Sequence, residues 1–259
     1  MHGNTLFFPG DSWLHRLHPL TKLAITFFFL VLAAIMPALL WLMLAFLILQ
    51  LPLVTIGGFL RQFLQRSVAV IAPFVVSLSV IQGFFTPGHT ELFHLGNFVF
   101  TLEGWLAGLT IAARILLALG GALLLMLSTR PDWLMLALTE SGLPGSVAYV
   151  VLTAIQIFPR FQERAQVILE AQQARGLEIK VNMFRRLRLL VPLMGPLVLS
   201  SIVDTEERAM ALEARAFSRP GKKTSLLLLK DSLWQRIARW ILMLIAFVLI
   251  ALSLWSALA

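Results

Sequence analysis

Several apolar runs of this 259-residue chain are long enough to cross a lipid bilayer, and they restrict the fold more than any other feature. The longest, Leu20–Ile56, is apolar almost throughout and is interrupted near Pro37. At a rise of about 1.5 Å per residue it is too long for one span, so it predicts two short antiparallel helices. Charged residues make up only 13% of the chain, against about a quarter in soluble domains, so composition also indicates a membrane protein.

Three further runs have the length and apolarity of membrane spans: Val68–Phe85, Gly104–Leu127 and Leu233–Leu258. The predicted fold class is an all-α integral membrane protein with about five transmembrane helices. Because Lys and Arg concentrate in cytoplasmic loops, Arg16 and Lys22 at the start and Arg61 and Arg66 after the end place both ends of the first pair of helices in the cytoplasm. We therefore expect a multi-pass protein of a bacterial or archaeal plasma membrane, with a cytoplasmic amino terminus and an external carboxyl terminus.

The segment Thr86–Glu103 contains no Lys or Arg and is predicted to lie outside the cell. Within it, Leu92–Phe100 predicts a short β-hairpin around Gly96-Asn97. The loop also carries His89, Glu91, His94 and Glu103. Their spacing is irregular and lacks the pairs of known metal motifs, so we predict an exposed polar loop with no metal site.

Two features of the fourth span suggest contacts inside the membrane. Gly104 and Gly108 are four positions apart, a spacing that allows another helix to approach closely. Arg114 lies near the middle of the span, where a charge is costly. Either this arginine has a function or it pairs with a backbone carbonyl inside the helix bundle.

Charge divides the chain into three predicted parts. Residues 1–130 contain transmembrane helices one to four, residues 131–230 form a cytoplasmic or interfacial domain, and residues 231–259 form the last transmembrane helix. In the middle part, Pro131–Leu138 and Pro144–Phe158 are predicted as separate interfacial or re-entrant helices because they are short or interrupted. Leu189–Val203 is apolar, but its prolines at 192 and 196 are expected to stop or kink a helix.

The middle part also contains two polar, helix-patterned segments that end alike. One ends in Ala171-x-x-Ala174-Arg175-Gly176, and the other, 40 positions later, ends in Ala211-x-x-Ala214-Arg215-Ala216. The first segment, from Phe158, predicts an amphipathic helix of about five turns, and the second is predicted to begin near Leu197. An arginine at a helix carboxyl terminus complements the helix dipole, but two matching ends also suggest a partner present in two similar copies.

These residues resemble the T component of energy-coupling factor transporters, the EcfT or CbiQ-like membrane scaffold. The resemblance covers nearly the whole chain, and the segments that carry it are Leu14–Leu23, Phe158–Gly176, Arg185–Pro196 and Glu207–Phe217. It implies that the two polar helices are long, cross each other at the cytoplasmic face, and dock one tip each into a groove on an ATP-binding subunit. The coupling residues it implies are Ala174, Arg175, Gly176, Ala214, Arg215 and Ala216.

The same resemblance implies the partners and the cofactor. The partners are two ABC-type ATPase subunits and a membrane-embedded substrate-binding S component, which carries a vitamin or a transition metal ion. ATP is bound by the ATPase subunits, and this chain itself binds no cofactor. The family usually has glycine where this chain has Ala216, and alanine is less suited to a left-handed turn. We therefore expect the second helix to continue to Phe217 or Ser218.

Other classes of protein fit the sequence less well. A permease of a conventional ABC importer has one coupling loop rather than two, and the Ile-x-Leu-Pro of that loop is missing here. An ATP-independent secondary transporter should show repeated halves with broken helices at the membrane midplane. No catalytic constellation is found, so the sequence does not favour an enzyme. Gly221–Thr224 lacks the spacing of a phosphate-binding loop. The net charge of +8 fits cytoplasmic loops facing anionic lipid rather than nucleic acid.

Overall fold

The structure is a computed structural model that describes residues 12–95, 98–175, 183–217, 219, 229 and 231–258. The chain divides into two compact units. The membrane unit comprises the described residues in 12–142 and 229–258, and the helix-pair unit comprises those in 143–219.

The membrane unit contains most of the helices and one small sheet. Its elements are α1 (Trp13–Arg16), α2 (Pro19–Ile35), α3 (Leu39–Ala45), a π-helical turn (Phe46–Gln50), α4 (Leu51–Gly57), α5 (Leu60–Phe85), β1 (Glu91–Leu95), β2 (Phe98–Thr101), α6 (Leu102–Ser128) and α7 (Pro131–Glu140). The helix-pair unit contains α8 (Gly145–Ala174) and α9 (Met183–Ala214). The last helix of the chain, α10 (Leu233–Leu258), belongs to the membrane unit.

Four helical stretches in the described residues are long and apolar enough to cross a membrane: Leu39–Gly57, Leu60–Phe85, Leu102–Ser128 and Leu233–Ser256. The first predicted span corresponds to α2, an apolar helix of 17 residues at the short end of the spanning range. The third span starts at Leu60 rather than Val68, because Arg61 and Arg66 lie in the first turns of α5 and not in a loop. An all-α integral membrane protein is thus confirmed.

The second span is continuous through a π-helical turn next to Pro52. Proline has no N–H group, and its ring clashes with the carbonyl four residues earlier. The chain avoids this clash by widening the turn over Phe46–Gln50, where the N–H of Leu51 donates to the carbonyl of Phe46. The wider turn places the fully buried Gln50 against Gly120 of α6, and a Cβ at position 120 would collide with the Gln50 amide.

Helices α2 and α6 run antiparallel and are hydrogen-bonded at three levels. At one end the fully buried Lys22 donates from Nζ to the carbonyl oxygen of Ser128, at 2.7 Å, and to that of His15 in α1, at 3.2 Å. Further along, Thr26 Oγ1 donates to a carbonyl of α6 at 3.1 Å. At the other end Arg114 Nη2 donates to the carbonyl of Met36 at 3.1 Å.

Arg114 therefore does pair with a backbone carbonyl, one of the two readings that the sequence left open. Met36 follows the last residue of α2, where helix carbonyls lack partners within the helix. A guanidinium group at that position satisfies one of them and complements the negative end of the helix dipole. The pairs at Lys22 and Arg114 lie fourteen residues apart on both helices, or about 21 Å, so they fix the register of α2 against α6.

Glycines bring α5 and α6 into close contact, as the sequence predicted. A Cβ on Gly108 would lie 2.6 Å from the carbonyl oxygen of Leu78 and 2.8 Å from Cα of Ser79. At Gly104 a Cβ would collide with the carbonyl oxygen of Gln82. The two backbones can approach this closely only because both positions lack a side chain.

The predicted β-hairpin is present beyond α5. Strands β1 and β2 pair antiparallel, with Leu95 opposite Phe98, and the residues of its turn, Gly96 and Asn97, lie outside the described residues. Phe93 and Phe100 stack at 4.9 Å between ring centroids, and Phe84 of α5 packs edge-on against both rings. The aromatic contacts therefore hold the sheet against the end of α5.

A polar junction joins the start of α2 to the start of α10. The N–H of His18 donates to Gln235 Oε1 at 2.8 Å, and Asp231 accepts from Arg239 at 3.1 Å. Burial lowers the pKa of His18, and the charges of Arg239 and Arg236 add to this, while Asp231 and Glu140 oppose it. For Asp231, burial alone would raise the pKa, but the hydrogen bond and charge of Arg239, together with His18 and Arg236, leave it lowered.

Candidate coupling site

Helices α8 and α9 are both longer than the sequence predicted. The prediction that Pro144–Phe158 forms a separate helix is wrong, because the 30-residue α8 continues from Gly145 through Pro159. The prolines in Leu189–Val203 are predicted to stop or kink a helix, and the stop is wrong, because the 32-residue α9 starts at Met183 and continues through both of them. Each proline removes one backbone hydrogen bond, whereas ending the helix would leave several carbonyl and N–H groups without partners.

The two helices run antiparallel and are joined by an ion pair. Arg164 Nη2 of α8 lies 2.6 Å from Asp204 Oδ2 of α9, and Arg164 Nη1 donates to the carbonyl of Ser200 at 3.5 Å. Both side chains of the pair are partly exposed, at 43% and 32%. Because the contact uses two hydrogen-bonding nitrogens of one guanidinium group, it fixes both the position and the orientation of Arg164.

The first predicted tip lies at the end of α8. Ala174 is the last helical residue, and Arg175 follows it with φ −89° and ψ 10°. The N–H of Arg175 donates to the carbonyl of Gln172 at 3.1 Å, so the backbone closes the helix there. The side chain of Arg175 is exposed and has no ion-pair partner among the described residues, while Gly176 lies outside them.

The second predicted tip lies at the end of α9. The prediction that this helix continues to Phe217 or Ser218 is wrong, because α9 ends at Ala214 and Ala216 takes a left-handed conformation with φ 55°. The N–H of Ala216 donates to the carbonyl of Glu213, and that of Phe217 to the carbonyl of Leu212, both at 2.9 Å. These two bonds define a Schellman motif, whose closing bonds outweigh the strain of a left-handed alanine.

An aromatic contact holds the residue after the second tip. The ring of Phe217 lies 5.2 Å from that of Tyr149, near the start of α8. The contact of this residue is therefore with the other helix of the pair. It turns the chain back toward α8 and leaves the side chain of Arg215 exposed, without an ion-pair partner in the described part of the chain.

The ion pair lies midway between the two tips. Arg175 is eleven residues beyond Arg164, and Arg215 is eleven residues beyond Asp204. Each tip is therefore about 16 Å along its helix from the ion pair. Because the helices are antiparallel, the tips lie on opposite sides of the ion pair and at most about 33 Å apart.

Sequence reasoning missed this ion pair although the sequence contains a signal for it. The spacing of 40 positions that relates the two Ala-Arg motifs also relates Arg164 to Asp204, which have opposite charges. Opposite charges at equivalent positions of two repeated helices favour a contact where those helices cross. The polar residues Glu163, Gln166, Glu170 and Gln173 are all exposed, as expected for the amphipathic helix that the sequence predicts from Phe158.

The polar loop of the membrane unit brings its acidic and histidine side chains together only in part. His94 Nε2 lies 2.9 Å from Glu91 Oε2, and Glu103 instead accepts hydrogen bonds from the backbone and side chain of Thr90. In the parts of the chain that the structure describes, no three His, Cys, Asp or Glu side chains form a group able to hold a metal ion.

The fold defines a multi-pass α-helical membrane protein, and comparison with known proteins gives its family. The model of the family CbiQ, described as cobalt transport protein, matches residues 10–226, so the chain belongs to this family. The chain is 30% identical over 234 residues to the energy-coupling factor transporter transmembrane protein EcfT of Lacticaseibacillus paracasei, covering 86% of this chain and 88% of that protein. The EcfT proteins of Heliobacterium modesticaldum (32% identical over 223 residues, 82% of each chain) and Listeria innocua (30% over 228 residues, 83% and 84%) are also similar.

These relatives confirm the resemblance found in the sequence. The chain is the transmembrane component of an energy-coupling factor transporter, and thus a transporter subunit of the membrane.

Proposed function

We propose that this chain couples ATP hydrolysis by two cytoplasmic ATPase subunits to movement of a membrane-embedded S component. Arg175 and Arg215 are the residues that contact the ATPases, one arginine in each subunit. The alanines and small residues beside them, Ala174, Gly176, Ala214 and Ala216, keep each tip narrow enough to enter a groove. The observation that carries this proposal is the pair of exposed arginines placed symmetrically about the Arg164–Asp204 ion pair.

The chemistry of the tips supports this role. A guanidinium group offers a planar set of donors that matches carboxylate or carbonyl oxygens on a partner. At a helix carboxyl terminus its charge is also favoured by the helix dipole. Neither Arg175 nor Arg215 forms an ion pair within the described residues, so the donors of both side chains remain available to a partner.

The arrangement of α8 and α9 suggests how motion would pass through the pair. When the ATPases close on ATP, the two tips move with them. Since Arg164 and Asp204 join the helices, movement of either tip also acts on the other helix. The movement then reaches the S component in the membrane, which carries a vitamin or a transition metal ion.

The remaining assignments belong to the same proposal. ATP binds to the ATPase subunits, and this chain holds no cofactor. Residues 1–130 form the first four transmembrane helices, residues 131–230 the coupling domain at the cytoplasmic face, and residues 231–259 the last transmembrane helix. The amino terminus is cytoplasmic and the carboxyl terminus is external, in agreement with the positive-inside rule.

Substitution of the tips tests the proposal. Arg175→Ala and Arg215→Ala, alone and together, should reduce both co-purification of ATPase subunits and ATP-driven uptake into vesicles. An interfacial arginine that loses its partner costs about 2 kcal/mol or more, so each single variant should weaken ATPase binding about thirtyfold. Arg61→Ala, an exposed arginine at the start of α5, is the matched control and should leave both readouts unchanged.

Two results would contradict the proposal. If the double variant retains its ATPases and its uptake, the tips are not the contact. If vesicles that contain no ATPase still accumulate substrate, the chain works as a secondary carrier instead.

A further inference from the structure

Three arginines and one aspartate line a narrow cleft where α8 and α9 meet. Arg160 and Arg164 are one turn apart on α8, and Asp204 and Arg208 are one turn apart on α9. Asp204 is committed to Arg164 by the 2.6 Å contact. Among the described residues, Arg160 and Arg208 therefore face the same cleft without an acidic partner.

Two cations on facing helices repel each other unless an anion lies between them. The cleft has a volume of about 10 Å³, enough for one water molecule and too small for a larger anion. An anion that bridges Arg160 and Arg208 must therefore sit at the mouth of the cleft. The guanidinium group matches phosphate oxygens in shape and charge, so a phosphate is the anion that this mouth favours.

An apolar groove continues from the cleft. Phe161 and Ser201 line both, so the charged mouth and the groove are adjacent. The groove has a volume of about 390 Å³, within the range of small-molecule sites. Its α9 wall is formed by Met194, Val198 and Ile202, whose side chains are 55%, 49% and 51% exposed.

We propose that this composite surface binds one anionic phospholipid, with its phosphate between Arg160 and Arg208 and an acyl chain along Met194, Val198 and Ile202. The assignment rests on adjacency, because a phospholipid carries its charge directly beside its hydrocarbon chain. Because Glu206 also lines the groove and would repel a phosphate, the phosphate belongs at the arginine mouth and only the acyl chain in the groove. Exposed apolar side chains on amphipathic helices are also typical of surfaces that lie in the headgroup region of a bilayer.

Native mass spectrometry of the purified full-length chain tests the headgroup contact. The chain is placed in nanodiscs that contain equal amounts of phosphatidylcholine and phosphatidylglycerol, and the retained lipid is identified. We expect phosphatidylglycerol to be retained preferentially, and Arg160→Gln with Arg208→Gln to reduce this preference by about fivefold for each arginine. Arg61→Gln with Arg219→Gln removes the same charge elsewhere and is the control. An equal preference in both double variants would overturn the proposal.

Photo-crosslinking tests the acyl-chain contact and the nature of the occupant. A benzophenone amino acid at Val198 in the assembled transporter should crosslink to phospholipid, and the crosslink should weaken in the Arg160→Gln, Arg208→Gln background. A crosslink to a protein chain instead would overturn the proposal and assign the groove to a partner helix. Excess inorganic phosphate should leave the lipid in place, because phosphate cannot replace the contact of the acyl chain. Displacement of the lipid by phosphate would therefore contradict the proposed groove contact. Retained helicity by circular dichroism excludes misfolding of either variant.

Discussion

Helices α2 and α6 of the membrane unit are hydrogen-bonded to each other at three levels. The polar contacts described between α8 and α9 are those of one side chain, Arg164, with Asp204 and Ser200, and an aromatic contact to α8 lies just beyond the end of α9. The difference extends to burial. The membrane unit contains a cluster of buried side chains around its α1, α4 and α6 helices: Leu14, Leu17, Val54, Phe59, Phe63, Leu124 and Leu127. In α8 the one buried residue is Ala148, and in α9 no side chain of residues 194–214 is buried.

This contrast indicates two sources of stability. The membrane unit packs its own core and joins its helices by buried hydrogen bonds, so much of its stability is internal. Both units expose large apolar side chains, but in the described part of the helix-pair unit these have almost no buried core beside them. Val150, Phe158, Leu199 and Met210 are examples. Such surfaces are usually covered by lipid or by another protein, so much of the stability of this unit must come from its surroundings.

The largest effect is expected from the buried cation of the membrane unit. Lys22→Met keeps the length of the side chain but leaves the carbonyl oxygens of His15 and Ser128 without a donor. Since hydrogen bonds to a charged group are among the stronger ones, the free energy of unfolding should fall by about 3 kcal/mol. Unfolding in mixed detergent micelles, followed by circular dichroism, measures this. Arg61→Met is the control for loss of a positive charge, and an equal change in both variants would rule out a specific role for Lys22.

A matched pair of glycine substitutions should give opposite signs in the two units. Gly108→Ala places a Cβ against the backbone of α5 and should destabilise the membrane unit by about 2 kcal/mol. Gly195→Ala, in open space on α9, should stabilise the helix by about 1 kcal/mol because alanine favours a helix more than glycine. Hydrogen exchange of the amides of α5 and α9 reports on both. Destabilisation by both variants would show that α9 is packed more tightly than its exposure indicates.

A smaller loss is expected when the polar junction of the membrane unit is acidified. The lowered pKa of His18 means that the unfolded chain binds more protons than the folded one below the ordinary value of 6.5. Stability should therefore be complete above pH 6.5 and decline as the pH falls below it. Asp231 contributes in the same direction only below 3.8, because its pKa is also lowered. His18→Asn keeps a side chain that can cap α2 but removes the titrating group. The thermal unfolding midpoint should then depend less on pH near neutrality. An unchanged dependence would show that His18 is not the group responsible.

At the second tip, Ala216→Gly should stabilise the end of α9 by about 1 kcal/mol. The left-handed conformation of residue 216 costs an alanine about this much and costs glycine almost nothing. Hydrogen exchange at the amide of Phe217, whose bond closes the helix, measures the change. The control Ala214→Gly lies within the helix and should destabilise it by a similar amount. Slower exchange in both variants would contradict the Schellman geometry.

Substitution of Arg164 or Asp204 should have the smallest effect on stability. It should have a clear effect on the coupling of ATP hydrolysis to uptake. Because the pair is partly exposed, Arg164→Ala should cost at most about 1 kcal/mol. Uptake per ATP hydrolysed should fall in Arg164→Asp and in Asp204→Arg, and should recover when the two are combined. In this double-mutant cycle we expect the effects of the two substitutions on uptake per ATP to be coupled by up to about fivefold. Such a coupling would distinguish a direct contact from two independent effects. No recovery would show that the pair does not transmit motion.

The same contrast explains what the sequence predicted well. The spans of the membrane unit follow from hydropathy, the close approach of α5 and α6 from Gly104 and Gly108, and the hairpin from alternating apolar residues around a two-residue turn. These are local patterns with a direct physical meaning. The extents of α8 and α9 were predicted poorly, because proline penalties are local whereas the gain from an uninterrupted helix accumulates along its length.

The contacts of the helix-pair unit required the structure. The pairing of Tyr149 with Phe217 depends on the antiparallel arrangement, which neither residue signals alone. The low preference of alanine for a left-handed turn predicts a longer α9, whereas two closing hydrogen bonds end the helix at Ala214. The sequence gives the position and identity of Arg175 and Arg215. Their exposure, and the lack of an ion pair to either within the described ranges, required the structure.

The equal distance from Arg164 to Arg175 and from Asp204 to Arg215 has a mechanical consequence. Under the proposed coupling, two arms of equal length on opposite sides of one fulcrum have the same leverage. Equal and opposite displacements of the two tips would rotate the crossed pair about this fulcrum without displacing it, whereas displacement of one tip alone would also carry the fulcrum sideways. Removing about one turn from either helix between the ion pair and its tip would unbalance the arms by about 5 Å and convert part of each rotation into sideways travel.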